Sequence, residues 1–127
     1  MLSLMKKILI AEDDNFLASL LLSEFHNAGF DAMGAIDGVD AVGKVKSWTP
    51  DILLLDILMP NKDGYAVLEE LRADPSFTKL PIIIFTNLGE SGDIERVKKL
   101  GITDYLVKAN TTPKAILEKV EEVLARV

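Results

Sequence analysis

The sequence contains no cysteine, so disulfide bonds, thiolate metal sites and a cysteine nucleophile are all excluded. It has no apolar run near the ~20 residues that a membrane helix requires, and the apolar residues 1–5 are too few for a signal peptide. Positive charge is also scarce, with 14 Lys and Arg residues against 20 Asp and Glu and a net charge of −6. This balance argues against nucleic acid as the direct partner. We therefore expect a soluble, cytoplasmic protein that does not bind a membrane.

Nucleotide-binding glycine motifs are missing as well. Neither G-x-G-x-x-G nor G-K-[ST] follows the first apolar run, which excludes a dinucleotide-binding or P-loop enzyme. No linker rich in Pro, Ser or Gly interrupts the 127 residues. We expect a single domain over residues 6–127, without an output domain.

Five short apolar runs alternate with five segments of helical periodicity. We predict strands over residues 7–11, 30–35, 52–55, 80–85 and 104–107, and helices over residues 15–28, 38–48, 64–72, 91–100 and 113–127. Apolar strands separated by helices predict a parallel sheet covered on both faces, with right-handed crossovers. The predicted fold class is α/β, a doubly wound parallel sheet of five strands with the flavodoxin-like order 2-1-3-4-5. The second strand is the weakest of the five and resembles an edge strand.

Helix caps and core-facing positions follow from residue type and helical spacing. Asp14, Asp37 and Thr112 are predicted N-caps. The only histidine, His26, is predicted to face solvent, and Trp48 to lie in the core or at its rim. The other helical positions predicted to face the core are Leu17, Leu20, Leu21, Phe25, Ala28, Val39, Val42, Val45, Tyr65, Val67, Leu68, Leu71, Ile94, Val97, Leu100, Ile116, Leu117, Val120, Val123, Leu124 and Val127.

Polar residues stand where four of the five predicted strands end. Glu12 and Asp13 follow the first strand, and Asp56 follows the third. Thr86 ends the fourth strand and Lys108 follows the fifth. The first and third strands are neighbours in the order 2-1-3-4-5, so Asp13 and Asp56 face each other at the edge where such sheets bind ligands.

Three carboxylates this close need a counter-charge. The available ligands are carboxylates, a main-chain carbonyl and water, which favour Mg²⁺ over any soft metal. Lys108 adds a fixed positive charge and Thr86 a hydroxyl donor, and both suit the oxygens of a phosphoryl group. The carboxylate of Asp56 is then a nucleophile that forms an acyl phosphate. A lone acid at a strand end is more often a helix cap, but polar residues at four strand ends disfavour that interpretation here.

With these residues, the sequence resembles the receiver domains of two-component response regulators, and the resemblance covers essentially the whole chain. It is carried by Glu12-Asp13, Asp56, Thr86 and Lys108, and by the stretches L-M-P-N-K-D-G and D-Y-L-V-K. The intervals from Asp56 to Thr86 and from Asp56 to Lys108, thirty and fifty-two residues, are also usual in that family.

The resemblance implies a role for each matched residue. Asp56 is the phosphoacceptor, and the donor is a phosphohistidine on a histidine kinase or a histidine phosphotransfer protein. Asp13, Asp56 and the main-chain carbonyl of Leu58 hold Mg²⁺, with Glu12 acting through a water. Thr86 and Lys108 contact the phosphoryl group.

The resemblance also implies how the signal leaves the site. Tyr105 matches a switch aromatic that turns inward as Thr86 moves toward the phosphate, although a tyrosine here can equally be packing. The output face is formed by the fourth helix, fifth strand and fifth helix, and is read by a downstream effector protein. We expect a monomer, with dimerisation on phosphorylation left open. The chain is not expected to be an enzyme beyond its own phosphorylation and slow dephosphorylation.

Three features depart from the family pattern. Ala109 follows Lys108 where proline, with a cis bond, is usual; either a costly cis bond is kept or the loop runs differently. Asn87 stands where a small residue is usual, which can narrow access to Asp56. Leu58 and Leu88 are apolar at two variable positions, so we expect slow hydrolysis of the acyl phosphate.

An apolar patch on the first helix is a candidate docking site. Phe16, Leu20 and Leu22 are predicted to be exposed beside the carboxylates and to meet the kinase, although helical spacing also places Leu20 on the core-facing side of the helix. The alternative is incidental exposure.

Two other functions compete with the phosphorylation switch. A phosphorylation-independent interaction module is disfavoured by the intact acids, hydroxyl and lysine. An aspartyl-phosphate phosphatase would need a second acid at the position of Leu58.

Overall fold

A parallel sheet of five strands carries five helices in the computed structural model, which describes residues 5–87 and 91–127. The strands are β1 (Lys7–Ala11), β2 (Asp31–Ala35), β3 (Ile52–Leu55), β4 (Ile82–Thr86) and β5 (Asp104–Val107). The helices are α1 (Asn15–Asn27), α2 (Gly38–Trp48), α3 (Gly64–Ala73), α4 (Ser91–Leu100) and α5 (Pro113–Arg126). Two short 3-10 turns, Pro75–Phe77 and Lys108–Asn110, were not predicted.

The strand order is β2-β1-β3-β4-β5, which confirms the predicted doubly wound α/β fold and the edge position of β2. Every residue of β3 is buried, because it has a strand on each side and helices on both faces. Successive side chains of a strand point to opposite faces of the sheet. Leu9 of β1 therefore packs in the core beneath α2, α3 and α4, and Ile10 in the core beneath α1 and α5.

Side-chain caps fix where the helices begin. Asp14 accepts hydrogen bonds from the main-chain amides of Phe16 and Leu17, and Asp37 accepts one from Asp40. Thr112 caps α5 in the same way. These three caps were predicted; Asp63, which caps α3, was not. Each cap satisfies an amide that has no partner inside its helix.

Most predicted core positions are buried, but four are exposed. Leu20 is 43 % exposed because α1 buries the row formed by Leu21 and Phe25, and Leu20 lies beside that row. Val39, 57 % exposed, lies in the first turn of α2. Ala28 and Val127 are exposed because each follows the last residue of its helix.

Three other side-chain predictions have mixed outcomes. Leu22, predicted to be exposed, packs half-buried against the core beneath α1 and α5, so that prediction was wrong. Its δ-methyl group lies beside Gly34 of β2, where no side chain competes for the space. Trp48 is half-buried at the core rim, as predicted. His26 is exposed, also as predicted, with its ring Nε2 3.0 Å from the carbonyl oxygen of Ala32.

The guanidinium of Arg72 in α3 joins three segments of main chain. It donates to the carbonyl oxygens of Phe77 at 2.7 Å, Leu80 at 2.8 Å and Gly101 at 2.7 Å. These carbonyls belong to the turn before β4, to the approach to β4, and to the residue after α4. Arg72 therefore fixes β4 and the end of α4 relative to α3.

Within the described residues, no helix is both long and apolar enough to cross a membrane.

Two glycines allow the loop between β3 and α3 to pack closely on its neighbours. A Cβ at Gly38 would overlap the carbonyl oxygen of Lys62 in that loop. A Cβ at Gly64 would lie 2.5 Å from the carbonyl oxygen of Asp56. The absence of a side chain at these positions thus sets the position of the main chain that carries Asp56.

We predict that Gly38→Ala lowers the free energy of unfolding by about 1–3 kcal/mol, because the loop must move to admit the methyl group. Gly43→Ala is the matched control on the same helix, since a Cβ there meets nothing within 4 Å. It should raise the free energy of unfolding by about 0.5–1 kcal/mol, as expected for glycine to alanine inside a helix. Urea unfolding measures both; equal effects would contradict the packing argument.

Candidate functional site

The three predicted carboxylates meet at the carboxyl ends of β1 and β3. Ala11 and Leu55 are paired in the sheet, so Glu12 and Asp56 leave adjacent strands side by side. The amide of Asp56 donates to the carbonyl oxygen of Ala11 at 3.1 Å and thereby extends the ladder by one step. Carboxylate oxygens of Glu12, Asp13 and Asp56 all lie within 4.8 Å of one another. The sheet order therefore brings them together as predicted.

Lys108 brings the positive charge to this cluster. Its Nζ lies 2.8 Å from Asp56 Oδ2 and 2.5 Å from Glu12 Oε2. The ammonium also lies 5.1 Å from the ring centre of Phe85 in β4. The described residues contain no cis peptide bond, so the bond from Lys108 to Ala109 is trans. Lys108 reaches Asp56 without the family's usual proline.

Burial and charge act in opposite directions on these groups. Burial raises the pKa of Glu12, and the ion pair with Lys108 and a hydrogen bond from the Asp14 amide offset only part of that rise. Burial alone would lower the pKa of Lys108, but its contacts with Asp56 and Glu12 outweigh burial and raise that pKa. The ammonium is therefore protonated at neutral pH, where it neutralises part of the acidic cluster.

The acidic cluster fits a hard divalent cation. One ammonium cannot balance three carboxylates, and Asp13 is exposed, so the cluster is open to solvent. Glu12 Oε2 is buried, and within the described residues its contact with Lys108 is an ion pair that lacks hydrogen-bond geometry. Oxygen ligands of this kind suit Mg²⁺. The main-chain carbonyl of Leu58 as a further ligand stays a prediction.

Thr86 and Tyr105, the predicted switch pair, line one small cavity between β4, β5 and α4. Thr86 is buried at the end of β4, and Tyr105 is half-buried. Tyr65 also lines this cavity, and its hydroxyl donates to Asp93 Oδ1 at 2.9 Å. The structure thus brings the pair together; their movement stays a prediction.

The predicted docking patch is smaller than expected. Phe16 is 75 % exposed and Leu20 43 % exposed, whereas Leu22 is half-buried and does not contribute.

Leu58 is exposed beside Asp56, and its amide donates to Asp56 Oδ1 at 3.4 Å. Leu88 lies outside the described residues.

Sequence reasoning missed two contacts next to the site. Tyr65 with Asp93 joins the start of α3 to the first turn of α4. Asn87 accepts a hydrogen bond from the amide of Ala109 at 2.9 Å. The only sequence signal for the second contact was that both residues depart from the family pattern.

We predict that Lys108→Met lowers the free energy of unfolding in EDTA by about 2–4 kcal/mol, because two buried carboxylates lose their cation. Lys119→Met is the control: Lys119 pairs with Asp104 and Glu122 on the surface, and its loss should cost less than about 1 kcal/mol. Adding Asp56→Asn to Lys108→Met should restore part of the loss. Urea unfolding tests this, and equal losses for the two lysine variants would contradict it.

Comparison with known proteins agrees with this geometry. The family model for the response regulator receiver domain matches residues 8–121. A probable transcriptional regulator, ycf27 of Porphyridium aerugineum, is 34% identical over 96% of this chain and 49% of its own length. The DNA-binding regulator RpaA of Synechocystis is 33% identical over 97% of this chain and 48% of its own. The chain therefore spans about half the length of these relatives.

A solved structure is similar over nearly its full length. The putative response regulator from Chloroflexus aurantiacus superposes with a TM-score of 0.87 at 30% identity, covering 96% of this chain and 99% of that one. The fold, the cluster of carboxylates and lysine, and the family match over residues 8–121 lead to one conclusion. This chain belongs to the receiver-domain family of two-component response regulators.

Proposed function

We propose that this chain is a phosphorylation switch in which Asp56 accepts a phosphoryl group. The observation that carries the proposal is the position of the Lys108 ammonium, 2.8 Å from Asp56 and also paired with Glu12. A carboxylate held against a fixed cation beside further acids is the arrangement that phosphoryl transfer to a carboxylate requires. The family membership supports the same conclusion.

In the transfer step, a carboxylate oxygen of Asp56 attacks phosphorus of a phosphohistidine. The new P–O bond forms as the P–N bond breaks, and the imidazole leaves with the electron pair of that bond. Lys108 then pairs with the oxygens of the transferred group, and the Thr86 hydroxyl donates to them. Asp13, Asp56, the Leu58 carbonyl and, through a water, Glu12 would hold Mg²⁺, which neutralises phosphoryl oxygens when bound.

The phosphorylated state signals by a population shift. Thr86 moves toward the phosphoryl group, and the Tyr105 ring turns into the space next to it. Both residues line the same cavity, which supports a direct coupling between them. The output face comprises α4, β5 and α5, and an effector protein reads it. Dimerisation through α4 and α5 on phosphorylation is a second output. The chain acts as a cytoplasmic signalling domain, with no enzymatic activity on a separate substrate.

The alternative is an interaction module that works without phosphorylation. The intact set of Asp56, Thr86 and Lys108, with two further acids beside Asp56, favours the switch.

We predict that acetyl phosphate with Mg²⁺ adds about 80 Da to the wild-type chain, and that Asp56→Asn shows no gain. Intact-mass spectrometry measures the gain, and peptide mapping locates it. Loss of the added mass after the acetyl phosphate is removed should be slow, because apolar Leu58 cannot orient an attacking water. If the folded wild type gains no mass, the interaction module replaces the switch.

Two neighbouring aspartates provide a matched test of the metal site. Asp13→Asn should weaken Mg²⁺ binding about tenfold or more, because it removes a ligand from the carboxylate cluster. Asp14→Asn removes the same charge one residue away but keeps the helix cap, since asparagine caps as well as aspartate. It should change the affinity less than about twofold. Calorimetric titration with Mg²⁺ compares them, and similar losses would show a general charge effect.

We predict that Phe16→Ala slows phosphorylation by a histidine kinase or phosphotransfer protein without slowing phosphorylation by acetyl phosphate. Phe16 is 75 % exposed on α1 and, with Leu20, offers an apolar surface only to a protein donor. Val127→Ala, at a residue 78 % exposed after α5, is the control. An unchanged rate with a kinase that phosphorylates the wild type would remove α1 from the docking surface.

A further inference from the structure

The main chain at Lys108 lies where an edge strand ends and a short turn begins. Lys108 directly follows β5, a four-residue edge strand that pairs only with β4 among the described strands. It begins the 3-10 turn Lys108–Asn110, whose closing bond, from the amide of Thr111 to the carbonyl oxygen of Lys108, is long at 3.4 Å. From this position Lys108 places its ammonium between two buried carboxylates.

Asn87 restrains the peptide that follows Lys108. The ladder between β4 and β5 ends at the pair Thr86 and Val107. One residue farther along the chain from Thr86, the side-chain oxygen of Asn87 accepts the amide hydrogen of Ala109 at 2.9 Å. The side chain of Asn87 thus takes the place of a strand carbonyl and extends the connection between the two strand ends beyond Lys108.

The end of β4 therefore holds Lys108 from two directions. The Phe85 ring lies 5.1 Å from the ammonium of Lys108, and Asn87 accepts a hydrogen bond from the peptide that follows the Cα of Lys108. A lysine side chain has several rotatable bonds, so fixing the main chain at their origin removes much of the freedom that the ammonium would otherwise have. We propose that Asn87 is a positioning residue that holds Lys108 for phosphoryl transfer to Asp56.

The chemistry of residue 109 makes this contact possible. Alanine has an amide hydrogen to donate, whereas proline has none. Asn87 and Ala109 therefore act as one pair, an acceptor and the donor it needs. The hydrogen bond stands on its own geometry, but its effect on phosphorylation rests on the proposed function.

The experiment compares Asn87→Leu, which keeps the side-chain shape but has no acceptor, with Asn110→Leu. Asn110 lies in the same turn, is exposed, and makes no side-chain hydrogen bond to the described residues. The maximal rate of phosphorylation by acetyl phosphate at saturating Mg²⁺ should fall about three- to tenfold in Asn87→Leu, the range expected for one lost hydrogen bond. It should not change in Asn110→Leu. By NMR, the Ala109 amide should exchange faster only in Asn87→Leu.

A double-mutant cycle separates this role from a general loss of stability. In the Ala109→Pro background the donor is absent, so adding Asn87→Leu should not slow the reaction further. An equal effect of Asn87→Leu in both backgrounds, or no effect on the wild type, would overturn the proposal. The exchange measurement does not depend on phosphorylation. If the Ala109 amide exchanges at the same rate in Asn87→Leu as in the wild type, the positioning role of Asn87 is overturned, whether or not the chain accepts a phosphoryl group. Absence of phosphorylation in the wild type would count against the proposed function instead.

Discussion

The structure of the site depends on one ion pair network, in which the ammonium of Lys108 lies between the buried carboxylates of Glu12 and Asp56. Two carboxylates so close and so far from solvent repel each other strongly, and burial already raises the pKa of Glu12. Lys108 offsets that repulsion but leaves Asp13 and the remaining negative charge uncompensated. The excess negative charge of the cluster therefore favours binding of a further cation. The positive charge of that cation in turn favours binding of a phosphoryl group.

The strand order and the close packing of the main chain bring these charges together. The order β2-β1-β3-β4-β5 sets Glu12 beside Asp56, and β4 then lies between Asp56 and Lys108 in the sequence of strands. Gly38 and Gly64 let the loop after β3 pack against α2 and against Asp56 itself. The same loop begins α3, whose Tyr65 contacts α4 through Asp93. The loop that carries Asp56 is therefore connected through α3 to α4 and to the cavity lined by Thr86 and Tyr105.

The sequence was sufficient to predict the strands, the sheet order and the meeting of the charged residues, because apolar runs that end in polar residues mark strand ends directly. Asp14, Asp37 and Thr112 were predictable caps for a similar, local reason. Helical spacing failed for Leu20 and Leu22, since it gives the angle of a residue on its own helix but not which neighbours reach it. Contacts between loops could not be predicted from the sequence. The bond between Asn87 and Ala109 joins residues twenty-two positions apart, and no periodicity encodes it.

In the proposed switch, Asp56, Lys108, Thr86 and the acids beside Asp56 form one site for a metal ion and a phosphoryl group. A crystal structure with Mg²⁺ and beryllium fluoride, a mimic of an aspartyl phosphate, tests it most directly. We predict beryllium fluoride on a carboxylate oxygen of Asp56, in contact with Lys108 and Thr86, with the metal bound by Asp13 and Asp56. Beryllium fluoride on another residue, or a metal bound away from these two acids, would contradict it.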